Sequence, residues 1–296
     1  MDQKTVIALG FFDGVHLGHG ALLRKTTARA AELGAVPAAF TFDRSPREFV
    51  TGQTVPLLTS VDERAALIRD CYGIERTIVA PFDREMMTMS WRDFLETLLL
   101  ARHGAVHLVA GHDYRFGHKN EGTPERLLAF CAERGIGCDI IPKVELGGVT
   151  VSSTHIRTLV ESGDIAGANA FLGHPYLLTG PVVHGRGLGT RELFPTANLL
   201  PSPGHIVPAY GVYATRVYLP SGETFPGVTN VGVRPTVSSD GSVTVETHLA
   251  GFSGNLYGQS LRLDFLARLR EERRFDSTQA LHDQIQRDIE DARALV

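Results

Sequence analysis

Two hydrophobic patterns divide the chain near residue 173. In the first part, apolar runs alternate with amphipathic stretches whose apolar residues recur at helical spacing. The apolar runs predict strands at residues 5–12, 36–42, 76–80, 106–110 and 138–142, and the stretches predict helices at residues 20–33, 62–71, 91–102 and 124–134. Strands that alternate with helices predict a doubly wound parallel sheet covered on both faces.

After residue 173 the pattern changes to short β-branched and aromatic runs separated by clusters of Gly, Pro and Ser. Runs at residues 176–184, 210–219, 243–249 and 261–269 have the spacing of an antiparallel β-barrel. Residues 154–172 predict two short helices before it, and residues 277–294 predict a closing helix. We therefore expect an α/β chain with an N-terminal domain of residues 1–173 and a C-terminal domain of residues 174–296, which suits a length of 296 residues.

Composition and charge narrow the class of protein. The net charge of −4 gives no basic footprint for nucleic acid. Three cysteines without a C-x-x-C spacing predict neither a disulfide framework nor a zinc site. The first residues lack the pattern of a signal peptide, and no apolar run is long enough to cross a bilayer. We expect a cytoplasmic protein with no membrane, nucleic-acid or obligate protein partner.

Residues 10–19 carry the first candidate chemistry, because they follow the first predicted strand and lie at the ligand-binding edge of such a sheet. Gly14 and Gly18 allow the backbone to approach a ligand closely. His16 and His19 are three residues apart and can face the same way at the start of a helix. Imidazoles and a helix N-terminus suit an anionic group. The alternatives are two surface histidines beside a tight turn, or half of a metal site without an obvious third ligand.

This segment resembles the H-x-G-H nucleotidyltransferases, in particular the adenylyltransferase half of bacterial bifunctional riboflavin kinase/FAD synthetases. Residues 111–117, 151–157 and 172–176 resemble further segments of that family. The resemblance implies catalytic roles for His16, His19 and Arg157. It implies nucleotide or flavin binding by Gly10, Phe11, Asp13, Gly14, Gly18, Asp113, Ser153 and Thr154. Ser153 and Thr154 are also expected to cap the helix that begins there.

In the second half, residues 194–198 (F-P-T-A-N) resemble the P-T-A-N motif of riboflavin kinases. Residues 211–214, 230–236, 245–249 and 256–258 match the same family in the same order. The resemblance implies that Thr196 and Asn198 hold Mg²⁺ or another divalent cation with ATP, and that Glu246 is the general base. The residues alone equally allow turn positions for the first two and a solvent-facing role for Glu246.

A Gly-rich stretch precedes that motif and is implied to bind nucleotide through Gly185, Gly187 and Gly189. It is neither G-x-G-x-x-G nor a P-loop, and a chance Gly-rich turn is the alternative. Two positions depart from the family pattern. Arg44 and Ser45 replace the Pro-His of a Pro-His-Pro segment, where Arg44 can substitute as a cation, and Leu193 replaces a glycine.

The resemblance covers nearly the whole chain and implies two reactions. The C-terminal domain would phosphorylate riboflavin with ATP to give FMN, and the N-terminal domain would join AMP from a second ATP to FMN, giving FAD and pyrophosphate. Three alternatives remain open at this point. They are a monofunctional riboflavin kinase with a weakened adenylyltransferase half, a non-catalytic flavin-binding regulator, and an adenylyltransferase for another small phosphate or acid.

Overall fold

The computed structural model describes residues 4–184, 196–233 and 243–296. Backbone contacts divide the chain into two compact units, Met1–Ser152 and Ser153–Val296. Among the described residues, no helix is both long and apolar enough to cross a membrane.

The first unit is built on a parallel sheet in the order β3-β2-β1-β4-β5. Its strands are β1 (Thr5–Leu9), β2 (Val36–Phe42), β3 (Arg76–Ala80), β4 (Ala105–Gly111) and β5 (Gly137–Ile141). Every residue of β1 is buried, as expected for a central strand covered on both faces. Chain order reverses at β1, between β2 and β4, so the crevice above β1 is the expected ligand position.

Helices and short turns connect these strands. The α-helices are α1 (Leu17–Leu33), α2 (Pro46–Thr51), α3 (Val61–Tyr72), α4 (Arg84–Thr88), α5 (Trp91–Asp93) and α6 (Pro124–Arg134), joined by a π-helix (Phe94–Arg102), a 3₁₀ turn (His118–Asn120) and a hairpin of β6 (Glu145–Leu146) and β7 (Val149–Thr150). Local signals set several ends. A Ser60–Glu63 capping box begins α3, and Gly34, in the left-handed region at φ 60°, ends α1.

A charged cluster ties α1 to the far edge of the sheet. Arg29 Nε donates to Asp139 Oδ2 at 2.7 Å, and His107 Nε2 lies 2.8 Å from the same oxygen. Lys25 Nζ lies 3.8 Å from Asp139 Oδ1. The Asp139 side chain is only 19% exposed, and the hydrogen bond from Arg29 lowers the pKa of this carboxyl. The cluster therefore stabilises the first unit most while Asp139 is ionised.

Asp139→Asn is expected to lower the free energy of unfolding of the first unit by about 2 kcal/mol at pH 7, since the variant loses charged hydrogen bonds. Trp91, the single tryptophan of the chain, lies in this unit, so its fluorescence during urea unfolding measures the effect. A folded-state pKa below the unfolded value gives stability above the unfolded pKa of about 3.9, which is lost as pH falls through the folded pKa. The difference from the unchanged protein should therefore shrink from pH 7 to pH 3; a constant difference would contradict this reason.

The second unit is a closed barrel with helices at both ends of its chain segment. The helices are α7 (Ser153–Ser162), α8 (Ile165–Leu172) and α9 (Thr278–Leu295). The barrel strands are β8 (Tyr176–Val183), β9 (Ala197–Leu199), β10 (Gly211–Tyr218), β11 (Thr224–Val233), β12 (Val243–Leu249) and β13 (Ser260–Arg270). The strands pair in the order β10-β11-β12-β9-β8-β13, all antiparallel where neighbours meet.

Three buried threonines cross the barrel interior. Thr229 Oγ1 lies 2.8 Å from Thr215 Oγ1 and donates to Thr247 Oγ1 at 2.9 Å. A Cβ on Gly227 would lie 2.5 Å from Thr215 Oγ1, so the glycine leaves room for this ladder. Because alternate residues of a strand face opposite sides, the neighbours of these threonines point to the outer face of the barrel.

The parallel sheet, the antiparallel barrel and the terminal helix are confirmed, but several elements differ from the sequence prediction. The single helix predicted at residues 91–102 is one turn of α-helix followed by the π-helix, which buries Phe94, Leu95, Leu98 and Leu99. The short β9 and the longer β11 were not predicted. Pro226 and two glycines interrupt the β-branched pattern of β11, which explains why the sequence hides it.

Candidate functional site

The histidine turn, residues 10–19, connects β1 to α1 at the carboxyl edge of the sheet. His16 is the N-cap of α1, and its Nδ1 accepts a hydrogen bond from the His19 amide at 3.2 Å. Gly14 has φ 78°, a left-handed conformation that favours glycine. A Cβ on Gly18 would lie 3.1 Å from the His16 ring, so glycine lets this ring sit against the backbone. The turn thus places two imidazoles at a helix N-terminus.

The two rings of the turn stack on each other. The centroids of His16 and His19 are 3.6 Å apart with an angle of 10° between the planes, and the Phe12 ring meets His19 edge-on at 5.2 Å. Burial lowers the pKa of His19 well below its usual value, and positive charge on His16 and Arg64 lowers it further. His19 Nδ1 is buried without a hydrogen-bond partner among the described residues. A neutral His19 can therefore direct a ring nitrogen to a bound ligand.

Asp13 shapes the turn from within. Asp13 is only 2% exposed. Its Oδ1 accepts hydrogen bonds from the amides of Leu58 at 2.9 Å and Thr59 at 3.0 Å. The Gly14 amide donates to Thr59 Oγ1 at 2.9 Å. These bonds tie the turn to the segment before α3. They indicate that Asp13 fixes the shape of the turn, a role that the motif alone did not reveal.

An aromatic cavity of about 550 Å³ opens where β2, β3 and β4 end. Its aromatic side chains are Phe42, Phe82, Phe94, Tyr114 and Phe116, and its basic side chains include Arg47, Arg115 and Lys119. Burial raises the pKa of the Tyr114 phenol well above its usual value, so the hydroxyl stays protonated. A flat apolar space with cations at its wall suits a planar aromatic ligand that carries an anionic group.

Asp113, the residue predicted from the segment after β4, does not line the aromatic cavity. Asp113 is 82% exposed and lies 3.9 Å from His112 Nδ1. The cavity uses the neighbouring Tyr114 and Phe116 instead. The sequence carries one signal for this cavity: phenylalanines or tyrosines stand at or just after the ends of three successive parallel strands.

The remaining predicted residues of the adenylyltransferase motif lie on α7. The helix begins at Ser153, so Ser153 and Thr154 lie in its first turn. Thr154 is exposed, whereas Arg157 lies on the same helix with a buried Nε. The expectation that Ser153 and Thr154 cap this helix stays a prediction. Arg44 is exposed beside Asp43, and Ser45 is the N-cap of α2.

In the second unit, a row of polar residues crosses three strands. Glu246 of β12 pairs in register with Asn198 of β9 and with Asn230 of β11. Directly opposite residues of antiparallel strands share a face with Cβ atoms about 4.5–5.5 Å apart. Asn230 Nδ2 also donates to Glu272 Oε1 at 2.8 Å. The barrel therefore brings together two predicted residues, Asn198 and Glu246, that are 48 positions apart in the sequence.

Glu246 and Asn230 line a cavity of about 340 Å³, here called the α9 cavity, whose wall also includes Thr196, His248, Arg273, Phe275 and side chains of α9. A buried ion pair secures the helix there. Arg270 donates from Nη2 to Asp288 Oδ2 at 2.8 Å, and Gln284 donates to Asp288 Oδ1 at 2.8 Å. Glu246 thus lies on the outer barrel face and lines this cavity, where a substrate hydroxyl can reach its carboxylate.

A second cavity of about 330 Å³, the Tyr257 cavity, shares Thr196 and His248 with the first. Its wall includes Phe252 and Tyr257, and the Tyr257 ring stacks on His184 at 3.9 Å between centroids. Two adjoining cavities that meet at Thr196 allow two ligands to approach each other there.

The Gly-rich stretch that the sequence linked to nucleotide binding lies outside the described residues. It contains Gly185, Gly187, Gly189 and Leu193.

The donor set around Thr196 and Asn198 is compatible with Mg²⁺. A hydroxyl, an amide carbonyl and the nearby Glu246 carboxylate are oxygen ligands, and Mg²⁺ usually takes few protein ligands beside phosphates and water. Within the described ranges, no three His, Cys, Asp or Glu side chains form a group that could hold a metal ion on their own. A metal at this site would therefore depend on oxygens of a bound nucleotide.

Each half of the chain matches a known protein family. Residues 1–155 match the family model described as FAD synthetase, and residues 172–296 match that described as riboflavin kinase. Two relatives named bifunctional riboflavin kinase/FMN adenylyltransferase are 37% identical over 293 residues (Pseudomonas fluorescens) and 32% identical over 295 residues (Listeria monocytogenes). Each alignment covers 99% of this chain and 93% of the relative.

A solved structure is similar over the same extent. A crystal structure described as a macrolide-efflux protein from Streptococcus pneumoniae is 29% identical, with a TM-score of 0.86, and the match covers 99% of this chain and 95% of that chain. Its likeness supports the same arrangement of secondary structure within each half.

Proposed function

The chain belongs to the family of bifunctional riboflavin kinases/FMN adenylyltransferases, and we propose that its two reactions use the α9 cavity for phosphorylation and the histidine turn for adenylylation. The enzyme phosphorylates riboflavin to FMN with ATP and converts FMN to FAD with a second ATP. The observation that carries the assignment is the row formed by Asn198, Glu246 and Asn230, in which Glu246 and Asn230 line the α9 cavity.

In the kinase reaction, Glu246 accepts the proton of the ribityl 5′-hydroxyl as the hydroxyl oxygen bonds to the γ-phosphorus. The bond from that phosphorus to ADP breaks, and ADP leaves with the electron pair. The α9 cavity holds the flavin, and Phe275 offers an aromatic face to it. The 5′-hydroxyl then lies near Glu246, and no protein nucleophile is required.

The nucleotide occupies the Tyr257 cavity, with its phosphates directed to Thr196 where the two cavities meet. Thr196 and Asn198 would hold Mg²⁺ together with those phosphates, and the bound ion would supply positive charge to the transferring group. Asn230, fixed by Glu272, orients the neighbouring Glu246. Gly185, Gly187 and Gly189 complete the nucleotide site as the family resemblance implies.

In the adenylyltransferase reaction, an oxygen of the FMN phosphate bonds to the α-phosphorus of ATP, and the bond to pyrophosphate breaks. His16, His19 and the N-terminus of α1 stabilise negative charge on the phosphates. The family resemblance implies phosphate contacts by Arg157, Ser153 and Thr154, and a close approach of the nucleotide to the backbone at Gly10, Phe11, Gly14 and Gly18. Asp113 contacts the nucleotide or the flavin.

The aromatic cavity holds the isoalloxazine ring of FMN for this second reaction. Its volume and its aromatic wall suit a tricyclic ring, and it lies at the same sheet edge as the histidine turn. The basic residues Arg47, Arg115 and Lys119 favour the anionic FMN over neutral riboflavin. This preference would keep riboflavin from competing with FMN.

We assign adenylylation to a domain of residues 1–173 and phosphorylation to a domain of residues 174–296, in the cytoplasm. The backbone contacts divide the chain at Ser152/Ser153, and the two family matches leave residues 156–171 to neither half. The segment with α7 and α8 therefore carries adenylyltransferase motif residues while its contacts belong to the kinase unit.

Incubating the pure protein with riboflavin, ATP and Mg²⁺ and separating the flavins by chromatography tests the proposal. FMN is expected first and FAD later, and replacing Mg²⁺ with excess EDTA should stop FMN formation. FMN that accumulates without FAD would favour a monofunctional kinase. Tight flavin binding without ATP consumption would indicate a regulator instead.

A further inference from the structure

Arg64 of α3 is a buried cation beside the histidine turn. Arg64 is 0% exposed and is the largest fully buried side chain among the described residues. The guanidinium lies 4.2 Å from the centroid of the Phe11 ring, and Nη1 donates to Thr41 Oγ1 at 2.9 Å and to the Phe42 carbonyl at 3.1 Å. Arg64 therefore joins the ends of β1 and β2 where the ligand-binding edge begins.

These contacts hold a strained part of the turn. Thr41 Oγ1 accepts from Arg64 and donates to the Phe11 carbonyl at 2.8 Å, so the hydroxyl links the guanidinium to the turn backbone. The next residue, Phe12, has φ 56°, which is uncommon for a residue other than glycine. Such a conformation persists only when its surroundings fix it. Arg64 and Thr41 supply part of that restraint.

Among the described residues, the guanidinium of Arg64 bonds to no carboxylate. Nε and Nη2 are buried and have no hydrogen-bond partner among the described residues, and Nη1 bonds only to uncharged oxygens. Burial lowers the pKa of Arg64 to about 10, and the negative charge of Asp13 opposes part of this shift. A buried charge with incomplete compensation is unfavourable alone and favours an anion nearby.

The histidine pair lies within the electrostatic range of this cation, because Arg64 lowers the pKa of His19. The anion that adenylylation brings to the turn is the ATP triphosphate. Its negative charge is attracted by the positive charge of Arg64. The rest of the protein thus holds Arg64 in place before the nucleotide arrives.

We propose that Arg64 is a positioning residue for adenylylation: its buried guanidinium fixes the Phe11–Phe12 part of the turn and supplies a constant positive potential beside His16 and His19, where the triphosphate binds. The inference rests on the assignment of adenylylation to the histidine turn. Arg64 contacts no substrate and acts through Phe11, Thr41 and the histidines.

The test compares Arg64→Met and Arg64→Lys with Arg69→Met, a control on the same helix whose arginine is exposed beside Asp70. With FMN and ATP as substrates, Arg64→Met should lower kcat/KM for ATP in FAD formation about 100-fold, mainly through a higher KM. Arg64→Lys should recover part of this loss, since it restores the charge but not the flat stacking on Phe11. The control and FMN formation from riboflavin should stay within about twofold.

Two further readouts separate this role from simple support of the fold. Urea unfolding followed by Trp91 fluorescence should show that the variants are folded under assay conditions. The pKa of the His19 imidazole, measured by NMR, should rise in Arg64→Met because a neighbouring positive charge is removed. A folded Arg64→Met that makes FAD at the normal rate overturns the inference, as does a loss of activity with KM for ATP and the pKa of His19 both unchanged.

If Arg64→Met does not fold, the activity of Arg64→Lys tests the inference. A folded lysine variant with kcat/KM for ATP about tenfold lower supports the inference, and a normal value overturns it. His19→Ala in the same assay tests the underlying assignment separately. If His19→Ala makes FAD normally, the assignment of the reaction to the turn fails. If it blocks FAD while the Arg64 variants are normal, the assignment stands and only the role of Arg64 fails.

Discussion

Glu246→Gln is expected to lower the rate of FMN formation from riboflavin about 1,000-fold, while FAD formation from added FMN is unchanged. The amide keeps the size of the side chain and its place between Asn198 and Asn230, but it cannot accept the hydroxyl proton. The measurement is the initial rate of each reaction with saturating ATP, followed by separation of the flavins. The flavin should still bind, because the walls of the α9 cavity are intact.

Glu223→Gln is the matched control for this change. Glu223 is exposed in the turn between β10 and β11, where it bonds to Ser221, and it lies away from the cavity wall. We expect both reactions of this control to proceed at normal rates. If Glu246→Gln retained more than a tenth of the normal kinase rate, general-base catalysis by Glu246 would be wrong. Equal loss of both reactions would instead show damage beyond one site.

His19→Ala is expected to lower the rate of FAD formation from FMN about 100-fold and to leave FMN formation from riboflavin unchanged. The change removes a neutral imidazole whose Nδ1 is buried without a partner among the described residues, next to the N-terminus of α1. It also removes the ring that stacks on His16. The measurement is the rate of FAD formation from FMN and ATP, with the kinase reaction of the same sample as an internal standard.

Substitution of His19 tests catalysis more directly than substitution of His16. The His16 side chain also caps α1, and its loss would cost about 1 kcal/mol of stability. His103→Ala serves as the control in the same unit. The His103 carbonyl accepts from Thr5 Oγ1 at the start of β1, which is the sheet edge opposite the histidine turn. Normal FAD formation by His19→Ala, or an equal loss in His103→Ala, would contradict the role of the turn.

The site residues illustrate which parts of a site can be predicted from sequence. His16 and His19 were found because their chemistry is local: strand, tight turn and helix start within ten positions, and the turn places them together. Glu246 and Asn198 were found only through a family resemblance. Their contact depends on the pairing of β12 with β9, and no local pattern encodes the register of strands that are distant along the chain.

Other residues gave no usable signal before the fold was known. Arg64 stands in an ordinary amphipathic helix, where an arginine is usually exposed. The aromatic cavity is assembled from the ends of three strands, and each of its phenylalanines alone resembles an ordinary core residue. Asp13 belongs to the motif, yet its hydrogen bonds to Leu58 and Thr59 come from a segment 45 positions away. Its role in shaping the turn follows from those contacts.

The sequence by itself determined the two architectures, the strand-to-helix turn with its histidines and the order of the family motifs. These follow from hydrophobic period, turn chemistry and residue identity, which act over a few neighbouring positions. Tertiary structure alone decided the burial of Arg64, the burial that lowers the pKa of His19 and the meeting of Glu246 with Asn198 and Asn230. Burial and cross-strand pairing depend on segments that are remote along the chain, and desolvation sets the charge of a group only after those segments have packed together.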